Sequence, residues 1–288
     1  MGACFAGASK VEFGTGHIGQ AIRRMALLAG LMAAPAAMIT GIAEAASGSA
    51  CPAVYAHMGL HYPYAALPEN SLAAVDAAVK AGADGIEADV RFSSDNNPII
   101  MHDAAVNRTT TWHGLVSHYR TRSLVRMRLT MKPDAQDPTG QHVPTLYQYL
   151  ERVRMDHASV EVEIKPAHLN GAQLDRFVRR FRGTDAWSFA TVSSFHPAVL
   201  DQVSRADARF AGRTALLTGR PVLGHAVAQE DVAYPNLTSA WVADLHAAHL
   251  RVDAWTPKTP AAWKRLTAMG VNEITVNNVK GYLAAACR

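Results

Sequence analysis

The chain has 288 residues, of which 49% are hydrophobic and 18% are charged, so it can bury a full core and is not an intrinsically disordered protein. The net charge of +4 comes from basic residues that are scattered along the chain without interleaved aromatic residues, which argues against nucleic-acid binding. No internal repeat of fixed period occurs.

The first 46 residues predict a secretory signal peptide. Arg23 and Arg24 precede an uncharged run over 25–42, and small residues at 43–45 offer a cleavage position. The run is just long enough to cross a bilayer, but its alanines, glycines and Pro35 make it a poor permanent anchor. We therefore expect residues 47–288 to form the mature domain of a secreted or periplasmic protein.

The next elements are a short strand and a helix. An apolar run starts at Pro52 and ends at His57, and Pro68-Glu-Asn70 opens an amphipathic helix that ends at Gly82. Asn70 or Ser71 is a suitable N-cap, and Gly82 lies where a left-handed C-terminal cap is needed. Helix formation thus explains these residues, but it does not explain His57.

The strand Gly85–Val90 carries Glu87 and Asp89, which are two residues apart and therefore point to the same face. If that face is buried, the two carboxylates need a cation, and a divalent metal that prefers oxygen ligands is the usual solution. The alternative is an ordinary strand whose acidic residues face solvent. Met101-His-Asp103 follows and adds an imidazole, His102.

Strand counting predicts the fold class. Extended runs end near nine positions, namely His57, Asp89, His102, Glu163, Ser194, Leu217, Glu230, Trp255 and Asn277. The segment 91–97 is shorter than the dozen or so residues that a parallel crossover needs, so 98–102 should return as an extra hairpin after strand 2. Eight strands alternating with helices remain, which predicts a single (β/α)8 TIM barrel.

In such a barrel the reaction site lies at the carboxyl ends of the strands. Several polar or aromatic residues occur at or just before the ends of their own apolar runs, namely His57, Glu87, Asp89, Glu163, Lys165, Ser194 and Trp255. The hairpin would bring His102 to the same end.

A series of short motifs, taken in chain order, resembles the glycerophosphodiester phosphodiesterase family over roughly residues 52–286. The motifs are His57 with Gly59, Pro68-Glu-Asn70, Gly82-Ala-Asp84, Ile86–Val90, His102-Asp103, Arg108-Thr-Thr110, Val143–Leu146, Glu161–Lys165, Ser194-Phe195 and Trp255-Thr256. The resemblance implies a divalent metal, Ca²⁺ or Mg²⁺, on Glu87, Asp89 and Glu163. It also implies that His57 and His102 are the catalytic acid and base.

By the same resemblance the protein hydrolyses glycerophosphodiesters to sn-glycerol 3-phosphate and an alcohol. The expected partner is this small-molecule phosphodiester, with transient membrane-surface contact as a further possibility and no nucleic acid. The expected substrate-binding residues are Lys165, Phe195, Trp255, Arg91 and Glu69. The resemblance leaves open the alcohol, the choice between the two metals and the oligomeric state.

The sequence departs from the family pattern at Met58, because the family has an arginine after the first histidine. A thioether can neither carry charge nor donate a hydrogen bond to phosphate. Two alternatives therefore stay open. One is a phospholipase D or sphingomyelinase D-like enzyme acting on lipids, since relatives of that kind also have His-Met here. The other is a catalytically impaired phosphate-binding barrel.

Two cysteines, Cys51 and Cys287, lie at opposite ends of the mature domain. A closed barrel places its first and last strands side by side, so we expect a disulfide between them in an oxidising compartment. The alternative is lipid attachment at Cys51, which requires an apolar residue three places earlier, where the chain has Gly48.

Overall fold

The computed structural model describes residues 51–61, 63–131 and 139–287. The signal peptide predicted for residues 1–46 lies outside these ranges. Eight parallel strands form a closed barrel in the order β1-β9-β8-β7-β6-β5-β4-β2, and β1 pairs with β2 to complete the ring. The predicted (β/α)8 fold class is therefore confirmed.

The strands are short, as expected for a barrel of this size. They are β1 Ala53–His57, β2 Gly85–Phe92, β3 Pro98–Ile100, β4 Ser159–Ile164, β5 Ala190–Ser194, β6 Thr214–Thr218, β7 Gln229–Ala233, β8 Arg251–Trp255 and β9 Glu273–Val276. β3 stands outside the ring and pairs antiparallel with the end of β2, with Val90 opposite Ile100. This pairing brings Met101 and His102 back beside the carboxyl end of β2, where the Met101 N–H donates to the Asp89 carbonyl.

Helices connect most of the strands and cover the outside of the barrel. They are α1 Leu72–Lys80, α2 Thr121–Leu124, α3 Leu146–Met155, α4 Gly171–Thr184, α5 Pro197–Ala206, α6 Ser239–Ala247, α7 Pro260–Met269 and α8 Val279–Ala286. Side-chain caps begin several of them. Of the two predicted caps for α1, Ser71 is the one used, since its side chain accepts a hydrogen bond from the Ala74 N–H.

The main core lies between the barrel and its helices. Val160, Val162 and Ile164 of β4 are all buried and point outward to it. Because the intervening residues then point into the barrel, β4 directs Glu161 and Glu163 to the interior. A second, smaller core beneath the segment that follows β3 includes Ile99 and Met127.

The two ends of the domain are joined covalently. Cys51 and Cys287 form a disulfide with a Cα–Cα distance of 5.5 Å, as the sequence predicted. The bond ties Cys51, two residues before β1, to Cys287, the residue after the end of α8. None of the helices in the described residues is both long and apolar enough to cross a membrane.

Candidate functional site

Three carboxylates meet at the carboxyl end of the barrel. Asp89 of β2 is in register with Glu163 of β4, and Glu87 lies on the same face as Asp89 one pleat below. One oxygen from each of the three side chains lies within 4.8 Å of the others, and all three residues are buried. The sequence predicted this convergence from two separate strands.

Lys165 supplies positive charge to this group, which we call the upper triad (Glu87, Asp89 and Glu163). Its Nζ lies 3.1 Å from Asp89 Oδ1 and 2.9 Å from Glu163 Oε1. Burial disfavours the charged amine, but the two carboxylates outweigh burial and raise the pKa of Lys165. One ammonium does not balance three carboxylates, so the triad carries excess negative charge when it is fully ionised.

The three acids of the upper triad differ in their ionisation. Burial, followed by the charges of the neighbouring carboxylates, raises the pKa of Glu87 and that of Glu163. Burial acts on Asp89 in the same direction, but Lys165 and the Asn70 amide help to outweigh it, so the pKa of Asp89 is lowered. Asp89 is therefore the most acidic member of the triad.

His57 lies at the end of β1, opposite Glu87 in the register of the two strands. Its Nδ1 is hydrogen-bonded to Asn277 Oδ1 at 2.8 Å, and its Nε2 lies 3.8 Å from Glu87 Oε2. Burial is the main reason that the pKa of His57 is lowered. The imidazole is therefore neutral near pH 7, with Nδ1 held by Asn277 and Nε2 turned toward the triad.

His102 is oriented by a chain of polar contacts. Its Nδ1 is hydrogen-bonded to Asp103 Oδ1 at 2.7 Å, and Arg108 Nε donates to Asp103 Oδ2 at 2.8 Å. These hydrogen bonds, with that of Arg108 as the largest cause, lower the pKa of Asp103 to about 2. Arg108 also forms a bidentate pair with Glu69, with both contacts at 2.7 Å. Glu69 thus supports the side chain that holds Asp103.

The loop between β1 and α1 contacts Glu87 of the upper triad and packs closely against α1. Met58 has a φ of 55°, is buried, and donates its backbone N–H to Glu87 Oε2 at 3.1 Å. Gly59 follows with a φ of 77°, and a Cβ atom there would lie 2.8 Å from the Ala74 side chain. Only glycine fits this close approach of the loop to α1.

A cavity of about 200 Å³ opens above the upper triad. Its wall contains both histidines and most of the predicted binding residues, with lining side chains from His57, Glu87, His102, Glu161, Glu163, Lys165, Phe195, Leu217, Asp253, Trp255, Thr256 and Thr275. Phe195 is 44% exposed and packs edge-on against Trp255 at a centroid distance of 5.7 Å. These two rings form an apolar side of the mouth.

Two predicted substrate-binding residues lie elsewhere. Arg91 donates its Nε to the His102 carbonyl at 2.7 Å and lines a neighbouring cleft instead of the main cavity. Glu69 is engaged by Arg108 and does not line the cavity either. Arg91 therefore contacts His102 directly, whereas Glu69 acts on it only through Arg108 and Asp103.

The sequence profile of the glycerophosphoryl diester phosphodiesterase family matches residues 57–280. The chain belongs to this family. A glycerophosphodiester phosphodiesterase of Caldanaerobacter subterraneus is 34% identical over 99 residues, which are 34% of this chain and 40% of that protein. YhdW of Bacillus subtilis is 26% identical over 225 residues, covering 73% of this chain and 89% of that protein. The alignment with the Caldanaerobacter relative thus spans less than half of its length.

Solved structures agree on the fold. A phosphodiesterase of Oleispira antarctica, determined in complex with the product sn-glycerol-3-phosphate, matches with a TM-score of 0.73 and 21% identity. The match covers 83% of this chain and 98% of that chain. The family's barrel is thus preserved here despite low sequence identity.

Several residues of this family member's site were not predicted as site residues from the sequence. Asn70 donates its side-chain amide to Asp89 Oδ2 at 2.8 Å, although the sequence suggested only a helix cap. Asn277 was predicted only to end the last extended run, and its side-chain oxygen is the hydrogen-bond partner of His57 Nδ1. Glu161 could have been recognised, because it is two residues before Glu163 and so lies on the same face.

Proposed function

We propose that the protein is a metal-dependent phosphodiesterase that hydrolyses glycerophosphodiesters to sn-glycerol 3-phosphate and an alcohol. The observation that carries this proposal is one cavity whose wall contains Lys165, two imidazoles and two acids of the upper triad, Glu87 and Glu163, with Asp89 beside them. Family membership supports the substrate class, as does the product bound to the Oleispira phosphodiesterase.

The upper triad suits a divalent cation. Its donors are all carboxylate oxygens, which Ca²⁺ and Mg²⁺ prefer, and its excess negative charge matches such an ion. Glu87, Asp89 and Glu163 would hold the metal. When bound, a cation of this kind polarises a phosphodiester oxygen and neutralises charge in the transition state.

The two histidines supply proton transfer. His57 is buried with its pKa lowered and with Nε2 free of other hydrogen bonds in the described residues, so it is ready to accept the proton of the attacking oxygen. His102 is held through Nδ1 by the Asp103 carboxylate and would protonate the departing alkoxide. The attacking oxygen belongs either to water or to the neighbouring glycerol hydroxyl. Lys165 keeps a positive charge beside the phosphate position.

A lipid substrate is the second candidate, and two features of the site favour it. The buried Met58 stands where the family has arginine, and the Phe195–Trp255 pair gives the mouth an apolar side. A phospholipase D-type enzyme would use such a wall for acyl or sphingoid chains. Products distinguish the two activities, because lipid substrates would release choline together with a lipid phosphate.

We also propose that the protein is secreted or periplasmic. The disulfide between Cys51 and Cys287 supports this location, since disulfides persist in oxidising compartments, and the predicted signal peptide supports it as well. Cell fractionation combined with N-terminal sequencing tests the proposal. Recovery of an uncleaved chain with free thiols in the cytoplasm would reject it.

The decisive activity test uses purified protein and glycerophosphocholine, with chelator, Ca²⁺ or Mg²⁺. We expect choline and sn-glycerol 3-phosphate to appear only when a cation is present. His57→Ala and His102→Ala should each lower kcat by about 100-fold or more. His118→Ala is the matched control, because this histidine is exposed and does not line the cavity. Full turnover in chelator would refute the requirement for a metal. Full turnover of a histidine variant would show that this histidine is not part of the mechanism.

A further inference from the structure

A second group of acids lies inside the barrel. Glu161 of β4, Asp231 of β7 and Asp253 of β8 each present an oxygen within 4.8 Å of the others. Asp231 and Asp253 are opposite each other in the strand register. We call this group the lower triad. Barrel interiors are usually filled by branched apolar side chains, so three carboxylates there need an explanation.

The lower triad contains carboxylate oxygens without a partner outside the triad. Asp231 Oδ1 accepts a hydrogen bond from Gln229 at 2.7 Å, and Asp253 Oδ2 accepts one from the Thr275 hydroxyl at 3.1 Å. The other oxygen of each acid, Asp231 Oδ2 and Asp253 Oδ1, is fully buried, and no described residue outside the triad donates a hydrogen bond to it. Within the triad, the carboxyl groups of Glu161 and Asp231 lie within hydrogen-bonding reach of each other. Buried oxygens of this kind are costly unless something binds them.

The protein's own cations are committed elsewhere. Lys165 pairs with two acids of the upper triad, and Arg251 pairs with Glu273, a fourth buried acid at the amino-terminal end of the interior. Within the described ranges, no ion pair reaches Glu161, Asp231 or Asp253. The lower triad therefore has less charge compensation than the upper one.

The lower triad can be reached from solvent. Glu161 and Asp253 line the same cavity as the two histidines, so an ion that enters the mouth can descend to them. Oxygen-only donors select hard cations such as Ca²⁺ and Mg²⁺. The Trp255 indole N–H donates to the Asp231 carbonyl at 2.8 Å, which joins this group to the wall of the substrate cavity.

We propose that the barrel interior holds a second divalent cation on Glu161, Asp231 and Asp253, below the upper triad. This ion neutralises the interior acids and stabilises strands β7 and β8 beneath Trp255. It is independent of the catalytic metal, and its binding does not depend on the proposed phosphodiesterase activity.

The test measures cation stoichiometry. Purified protein is stripped with chelator and titrated with Ca²⁺, and separately with Mg²⁺, by calorimetry and equilibrium dialysis. We expect two ions per chain for the unmodified protein with at least one of these cations. We expect one ion for Glu163→Gln, one for Asp253→Asn, and none for the double variant. Asp244→Asn, on the exposed face of α6, is the matched control and should still bind two.

Thermal unfolding of the Glu163→Gln variant isolates the lower triad. A cation at about 100 times its dissociation constant should raise the melting temperature by about 5 °C or more, and adding Asp253→Asn should abolish the shift. If Asp253→Asn does not fold, Asp231→Asn replaces it. The proposal would be overturned if the protein bound one ion per chain, and if that ion were lost in Glu163→Gln but kept in Asp253→Asn. The lower acids would then be neutralised by protons.

Discussion

Substitutions at Asn70 separate two contributions to stability, that of a side-chain hydrogen bond and that of a left-handed backbone conformation. Its amide donates to Asp89 Oδ2 at 2.8 Å, and its φ of 57° lies in the left-handed region. A buried hydrogen bond to a charged group contributes roughly 1.5–3 kcal/mol. A left-handed conformation costs a non-glycine residue such as alanine about 1 kcal/mol more than glycine.

Asn70→Gly removes the hydrogen bond and keeps the backbone conformation, so its free energy of unfolding should fall by roughly 1.5–3 kcal/mol. Asn70→Ala loses the same hydrogen bond and adds the strain, for a total of roughly 2.5–4 kcal/mol. Because Asn70 orients Asp89, both variants should bind the activating cation about 10–100-fold more weakly. Urea unfolding in chelator measures the first effect, and cation titration measures the second.

Asn96 provides the matched control, because it has a φ of 61° in a turn and its side chain contacts Asn170 instead of a carboxylate. Asn96→Ala should lose about 1 kcal/mol and Asn96→Gly almost nothing, with cation affinity unchanged in both. Equal stabilities for Asn70→Gly and Asn70→Ala would refute the argument from backbone strain. Unchanged cation affinity in both Asn70 variants would refute its support of Asp89.

Three further outcomes follow from the same geometry. Burial lowers the pKa of His57, so its neutral form persists to lower pH. The acid limb of the pH profile of kcat/KM should therefore have its midpoint below about pH 6.5. A midpoint above that value would contradict the role of His57 as the base. Arg108→Gln should raise the pKa of Asp103 from about 2. Because His102 then loses its support, kcat should fall by about tenfold or more while KM changes little. An unchanged kcat would show that the contact between Arg108 and Asp103 is dispensable. Replacing Cys51 and Cys287 together by serine removes a link across a sequence separation of 236 residues. The entropy of closing this loop in the unfolded chain predicts a loss of about 5 kcal/mol in the free energy of unfolding. Equal thermal stability of the variant would contradict stabilisation by loop closure.

The barrel could be predicted because its elements carry local signals. The seven residues between Val90 and Pro98 are too few for a parallel crossover, and β3 indeed pairs antiparallel with β2. Two rules placed Glu87, Asp89 and Glu163 at the site end of the barrel, namely the alternation of side chains along a strand and the placement of reaction sites at strand carboxyl ends. The resemblance to the phosphodiesterase family then implied that the three acids form one set of metal ligands. Both rules use positions along one strand and need no knowledge of loop conformation.

Loop conformation explains most of what the sequence did not predict. Asn70 was interpreted as a possible helix cap. Its left-handed backbone directs its side-chain amide to Asp89 instead, and nothing in the sequence distinguishes this role from capping. Substrate binding by Arg91 stays a prediction, but the contact of its guanidinium with the His102 carbonyl was not predicted, because it depends on the return of the chain through the hairpin. Such pairings depend on where two segments meet, which a single sequence does not specify.

The lower triad was missed for a different reason: its acids come from β4, β7 and β8, and the consequence of the predicted closure was not applied to the inward face of every strand. In β4, apolar and acidic residues alternate, and in an open sheet this pattern indicates a polar face toward solvent. In the closed barrel the helices cover the outer face, so Val160 and Val162 point outward and Glu161 points into the interior. The same alternation therefore has opposite meanings in the two architectures. Once the eight-strand count predicts closure, every acid on the inward face becomes a buried charge that must be matched by a proton, a basic side chain or a cation.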